Sequence, residues 1–301
     1  MEKENKRNYC KAHLYGDICE TKDKAGMNCS SVNFAKVDSK KTGIRFKVRT
    51  VETYNDAEGK TQYKDSFHTV RIVTEDKKLV EAFEQIAKDQ EQNIANKGVD
   101  GYSRINHTVS IDGKLVKRKN EKDVKTYYNE YVIADSVNLD TAKQENEVRN
   151  SVEINGALME PKKLDGYALM DIRTYYKRPL REGEEAPTNK EGNPLPYAYE
   201  SSFIPVRISE ERQPEFFKRL ESGELKKGDE ITVKGQMHNV ADGITVDAAS
   251  IHFSQKEALE EKAAKVEEKK PEVKAEAKPE KKAPAAKKPV SKKKGAGVKL
   301  S

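Results

Sequence analysis

Apolar and polar residues alternate with a period of two along ten short segments, and the segments fall into two sets of five. Alternation predicts strands over Tyr9–Glu20, Ile44–Tyr54 and Ser66–Val73, and again over Ser151–Glu160, Ala168–Lys177 and Ser202–Ser209. After the third strand of each set the period changes to that of a helix. Leu79, Val80, Phe83 and Ile86 mark a helix over Asp76–Gln92, and a shorter one is expected around Gln213–Leu220. Two further alternating segments close each set. They lie around Val109–Leu115 and Val132–Val137 in the first, and over Asp229–His238 and Ile244–Phe253 in the second.

The two sets are copies of one pattern. Residues Tyr63 to Ile72 and Tyr199 to Ile208 share the string YxxSFxxVRI. Other matches follow in the same order: Leu14-Tyr15-Gly16 with Ile154-Asn155-Gly156, Val48-Arg49-Thr50 with Ile172-Arg173-Thr174, Ile111-Asp112-Gly113 with Val233-Lys234-Gly235, and Val132 to Val137 with Val246 to Ile251. Each match is weak alone, and their conserved order makes an internal duplication.

Five short strands with a helix between the third and fourth predict a mainly β chain built of two five-stranded Greek-key barrels in tandem, the OB-fold. Gly16, Gly113, Gly156 and Gly235 fall inside strands, where glycine marks a bulge or sharp bend. The expected domains are 1–143 and 144–255. Residues 256–301 are rich in Lys, Ala, Pro and Glu and predict a disordered tail.

Charge adds to this picture. The 301 residues carry a net charge of +6, and charged residues make up 36% of the chain. Residues 256–301 hold fifteen lysines and eight glutamates, so the tail carries +7 and the first 255 residues −1. Any nucleic-acid surface on the body must therefore come from local patterning. No apolar run approaches the ~18 residues of a membrane span, and the charged start has no signal-peptide pattern. Three cysteines, Cys10, Cys19 and Cys29, lack metal-ligand spacing and read as reduced thiols of a cytoplasmic protein. Gly59-Lys60-Thr61 lacks the first glycine of a phosphate-binding loop, because position 54 is Tyr. With no acid–base or metal constellation in sight, no catalytic function, cofactor or metal is expected.

The face opposite each core carries the candidate chemistry. In strand two of the first repeat Ile44, Phe46 and Val48 face inward, so Arg45, Lys47 and Arg49 face outward. In strand three Phe67 and Arg71 face outward, four residues apart, and Phe203 and Arg207 repeat that spacing. Arg173 and Tyr175 extend the face in the second repeat, with Tyr176 and Tyr199 beside them. Tyr54, Tyr63, Lys117 and Arg118 extend it in the first. A basic and aromatic surface suits single-stranded nucleic acid. Exposed bases stack on aromatic rings for about 1–3 kcal/mol each, and arginine pairs with phosphate or stacks as a planar cation. The same residues also fit two other readings. Phe67 and Phe203 could anchor a protein interface, as in a structural or adaptor protein, and nothing distinguishes DNA from RNA.

The first repeat resembles the bacterial and phage single-stranded DNA-binding protein family. The resemblance runs from Val51-Glu52-Thr53-Tyr54-Asn55-Asp56 through Gly59-Lys60 to Phe67-His68-Thr69-Val70, with Gly113-Lys114-Leu115 on strand four and Asn150 to Gly156 as a second opening strand. It implies sequence-nonspecific binding and protection of single-stranded DNA in replication, recombination or repair, with Tyr54 and Phe67 at stacking positions. It also implies replication or recombination proteins as partners and a homodimer presenting four OB units. The chain departs from the family pattern in having no tryptophan and in ending on a lysine-rich stretch, Lys281–Ser301, in place of an acidic tip.

Overall fold

The computed structural model describes residues 8–55, 60–122, 125–142, 149–181, 183–189, 191–240 and 243–253. Met1–Ser254 form one compact unit. The 256–301 tail, on which the expectation of disorder fell, lies outside the described residues.

The first repeat contributes β1 (Tyr9–Ile18), β2 (Thr21–Lys22), β3 (Asn28–Cys29), β4 (Asn33–Lys36), β5 (Thr42–Asn55), β6 (Thr61–Thr74), α1 (Lys77–Ala95), β7 (Thr108–Lys122) and β8 (Lys125–Leu139). The second contributes β9 (Asn150–Leu158), β10 (Lys162–Leu164), β11 (Tyr167–Pro179), β12 (Tyr197–Ser209), α2 (Pro214–Glu221), β13 (Glu230–Val240) and β14 (Gly243–Phe253). In the first repeat the pairings close a ring: β1 with β5, β5 with β6, β6 with β8, β8 with β7 and β7 with β1. In the second the ring is β9, β11, β12, β14, β13 and back to β9. In both rings the one parallel pair is strand three with strand five, β6 with β8 and β12 with β14.

Apolar alternation fills each ring. Ile44, Phe46, Val48, Val70 and Ile72 are buried in the first, and Met170, Ile172, Ile204, Val206 and Ile208 in the second. Helix α1 starts where the Asp76 carboxylate accepts the N–H groups of Lys78 and Leu79. Its buried Phe83 packs on Phe46 at 4.6 Å between ring centroids. In α2, Pro214 stands in the first turn, where a missing N–H costs nothing, and Phe216 and Phe217 are buried.

Equivalent glycines do equivalent work. A Cβ on Gly16 would lie 2.1 Å from the Arg49 carbonyl oxygen, and one on Gly156 would lie 2.5 Å from that of Arg173. These two glycines allow strands to cross closely and mark no bulge. Gly113 and Gly235 do sit at bulges, after Asp112 and after Lys234, as expected.

The repeats join through β1 and β9, which pair antiparallel so that Ala12 faces its own equivalent, Val152. The pairing places all but β2 and β3 in one twelve-stranded sheet. A second, reciprocal contact involves the strand four–five hairpins. The Lys117 N–H donates to Ser202 Oγ at 2.9 Å, and the Phe67 N–H donates to Asn239 Oδ1. The serines of the two YxxSF strings, Ser66 and Ser202, are both buried at this seam.

This seam explains why the third strands begin earlier than alternation indicated, at Thr61 and Tyr197. The outer halves of the β5–β6 and β11–β12 arms reach past their own cores. Their inward residues, including Thr50, Ser66, His68, Thr174 and Ser202, are buried but polar. The apolar signal of a half-buried strand is therefore missing there.

Candidate nucleic-acid interface

Register places the outward residues of each arm in cross-strand rows. In the first repeat the rows are Arg45 with Arg71, Lys47 with Thr69, Arg49 with Phe67 and Val51 with Asp65, followed on β6 by Tyr63. In the second they are Leu169 with Arg207, Asp171 with Pro205, Arg173 with Phe203, Tyr175 with Ser201, Lys177 with Tyr199 and Pro179 with Tyr197. An arginine thus stands directly opposite a phenylalanine at equivalent positions of both repeats. Phe67 is 45% exposed and Phe203 38%, large values for apolar rings.

The surrounding cations are oriented by specific partners. Arg45 is exposed. The Lys47 Nζ donates to Thr21 Oγ1 at 2.8 Å, and Arg49 lies 3.3 Å from Asp17 in a pair that is about 40% exposed on both sides. Both arginines of the repeated VRI string lie over tyrosines. The Arg71 guanidinium is 4.1 Å from the Tyr131 ring centre, and Arg207 is 4.8 Å from that of Tyr167. Arg173 approaches the Tyr175 ring at 5.8 Å. Such stacking holds the planar cation flat. Tyr63, Tyr175 and Tyr199 are all exposed.

Three expected site residues face elsewhere. Tyr176 is buried in the seam against Val116 and Tyr131, because an even-numbered residue on β11 points away from the Arg173 and Tyr175 face. Lys117 forms a 2.7 Å pair with Glu130, with side chains 16% and 9% exposed. Arg118 pairs with Glu200 at 3.1 Å, and Glu200 also takes Arg178 at 3.0 Å. The Arg118–Glu200 pair and the Lys117 N–H bond to Ser202 tie one repeat to the other, while the Lys117–Glu130 pair lies within the first. The side chain of Tyr54 lies outside the described residues; its backbone pairs with Gln62. Tyr167 and Lys177 also belong to this face and were not among the expected site residues; Tyr197, which the sequence leaves open between a stacking and a strand-initiating packing role, joins them. Tyr167 opens its strand one register row before the apolar run, and Tyr197 lies in a stretch rich in Pro and Gly.

The seam also holds a buried titratable group. His68 is fully buried, with Nε2 3.1 Å from Thr50 Oγ1. Burial, then the charge of His238, push its pKa from 6.5 down to about 4. The folded pKa lies below the unfolded one, so this contribution to stability is complete above pH 6.5 and is lost as pH falls from 6.5 towards 4. A shift of that size corresponds to about 3 kcal/mol. Urea unfolding at pH 7.5, 6 and 4.5 should show the loss, and a His68→Gln chain should show a flatter profile.

Among the described residues no group of three or more His, Cys, Asp or Glu side chains could hold a metal ion. No described helix is long and apolar enough to cross a membrane. The three cysteines are unpaired, and burial raises the Cys10 thiol to about 12 and the Cys19 thiol to about 11.

No family model and no curated protein sequence matches the chain. Similar solved structures exist. The wild-type single-stranded DNA binding protein from Thermus aquaticus aligns with a TM-score of 0.49 and 15% identity over 83% of this chain and 95% of that one. This chain is similar to single-stranded DNA-binding proteins. The Plasmodium falciparum SSB in complex with ssDNA covers 45% of this chain and 96% of its own, at 15% identity and a TM-score of 0.30. A small single-stranded DNA-binding protein from Streptomyces coelicolor covers 43% and 93%, at 13% identity and a TM-score of 0.25.

Proposed function

We propose that this chain is a tandem OB-fold protein, with units at 1–143 and 144–255, that binds single-stranded DNA with little sequence preference. The observation that carries the reading is the arginine–phenylalanine row repeated on the outer face of both arms, Arg49 with Phe67 and Arg173 with Phe203. An exposed ring beside a guanidinium can stack on a base while the cation meets the next phosphate. A duplex hides its base faces and leaves the rings nothing to stack on. In this reading Arg45, Lys47, Arg71, Tyr63, Tyr175, Tyr199 and Arg207 complete the surface, and Lys117, Arg118 and Tyr176 hold the two arms in place. The chain acts by coating and protecting strands exposed in replication, recombination or repair, without catalysis. A dimer would present four such units, and the lysine-rich tail would add phosphate contacts.

The test is competition between oligo-dT and duplex of equal length for the full chain at low and high salt. Base stacking survives salt while phosphate contacts weaken. A preference for oligo-dT that widens at high salt supports the reading, and equal binding of both at every salt contradicts it.

A further inference from the structure

The two faces differ in what they offer a strand. Over the three rows nearest each core, the first repeat presents Arg45, Arg71, Lys47 and Arg49. The equivalent rows of the second present Arg207 and Arg173, together with Asp171 and Leu169. Beyond those rows the contrast reverses. The first repeat continues with Val51 and Asp65 and then Tyr63, so the row after Phe67 carries an acid and no ring. From the Arg173–Phe203 row outward the second repeat has an aromatic in each row: Phe203, Tyr175, Tyr199 and Tyr197 in succession, alternating between β12 and β11 before the last two. Tyr197 and Tyr199 meet edge to face at 5.5 Å, and the Lys177 Nζ sits 4.3 Å from the Tyr197 ring centre.

Successive rows on one face are two residues apart, about 6.8 Å along a strand. That is about twice the 3.4 Å rise per base along one strand of a duplex. A strand laid along β11 and β12 would be stretched so that each base leaves its neighbour and meets a protein ring. The charge-rich rows of the first repeat hold phosphates whatever bases they carry.

Resting on the binding reading above, we propose that the repeats divide the work on one strand. The second repeat is the base-holding arm, an aromatic ladder of Phe203, Tyr175, Tyr199 and Tyr197. The first is mainly the phosphate-holding arm, through Arg45, Lys47, Arg49 and Arg71. Tyr197, outside the motif-derived set, is a ladder member, and Lys177 props its ring.

The two arms are separable by salt and by base. The probes are oligo-dT and a strand of equal length made of abasic spacer, which keeps the phosphates and removes the bases. The full chain is compared with Tyr175→Ala/Tyr199→Ala and with Arg45→Gln/Lys47→Gln, each first checked for an unchanged thermal midpoint. The ladder variant should lose at least about tenfold affinity for oligo-dT at every salt concentration. It should keep the parent's salt slope and bind the abasic strand as the parent does. The charge variant should lose affinity for both probes at low salt, with the slope of log K against log salt reduced by about 1.4 for two phosphate contacts. A parent that prefers oligo-dT, with a ladder variant that binds like the parent or alters the salt slope, overturns the division while leaving the binding reading intact. An unchanged salt slope in the charge variant overturns it equally. A parent that holds oligo-dT no better than duplex removes the binding reading, and the division with it.

Discussion

Replacing Phe67 and Phe203 together with alanine should weaken binding of oligo-dT by between about 30-fold and 10⁴-fold, from two lost stacks of about 1–3 kcal/mol each. Both rings project from the outer face, at 45% and 38% exposure, so no core packing is removed. The Phe67 N–H bond to Asn239 is a backbone bond and survives the substitution. Stability should therefore move by no more than about 0.5 kcal/mol, the range of ordinary surface changes. Fluorescence anisotropy with labelled oligo-dT and a thermal melt of the same sample separate the two effects. Unchanged binding with altered self-association would make the rings interface anchors instead.

The largest stability effect of a single substitution is expected from Glu130→Ala, a loss of about 1–3 kcal/mol, the usual cost of leaving a buried donor, here the Ile244 N–H, without its acceptor. The Glu130 side chain is 9% exposed, pairs with Lys117 at 2.7 Å and accepts the N–H of Ile244 from the other repeat. Alanine leaves the buried Ile244 N–H in the seam without this acceptor. The loss comes from contact between repeats, so the two could then unfold apart, and urea unfolding should show a reduced m-value or two steps. A single transition with the parent's midpoint would mean that Glu130 does not hold the seam.

The barrels were legible in the chain because their inner residues are apolar and alternate. Ile44, Phe46 and Val48, with Ile204, Val206 and Ile208, signal strand and inward face together. The duplicated string YxxSFxxVRI located the outer phenylalanine and arginine of each arm without a structure. The seam was illegible for a physical reason. It is built of polar pairs such as Ser202 with the Lys117 N–H and Asn150 with Glu52, at 2.9 and 3.0 Å. Polar residues on an alternating strand read as solvated until the partner hairpin is placed. Hence Tyr176, Lys117 and Arg118 read as surface residues while the fold turns them towards the other repeat. Short strands such as β2, β3 and β10, two or three residues long, are below the length at which a period can be seen.

The charge of the tail and the face of the arms are the two rival sources of nucleic-acid binding. The decisive comparison is between the full chain and residues 1–254, the span of the compact unit, each titrated with oligo-dT and with duplex at two salt concentrations. Residues 1–254 should still prefer oligo-dT, with a shallower salt dependence than the full chain. If residues 1–254 bind neither probe while the full chain binds both equally, the tail is the nucleic-acid element and the paired arginine and phenylalanine rows serve another purpose.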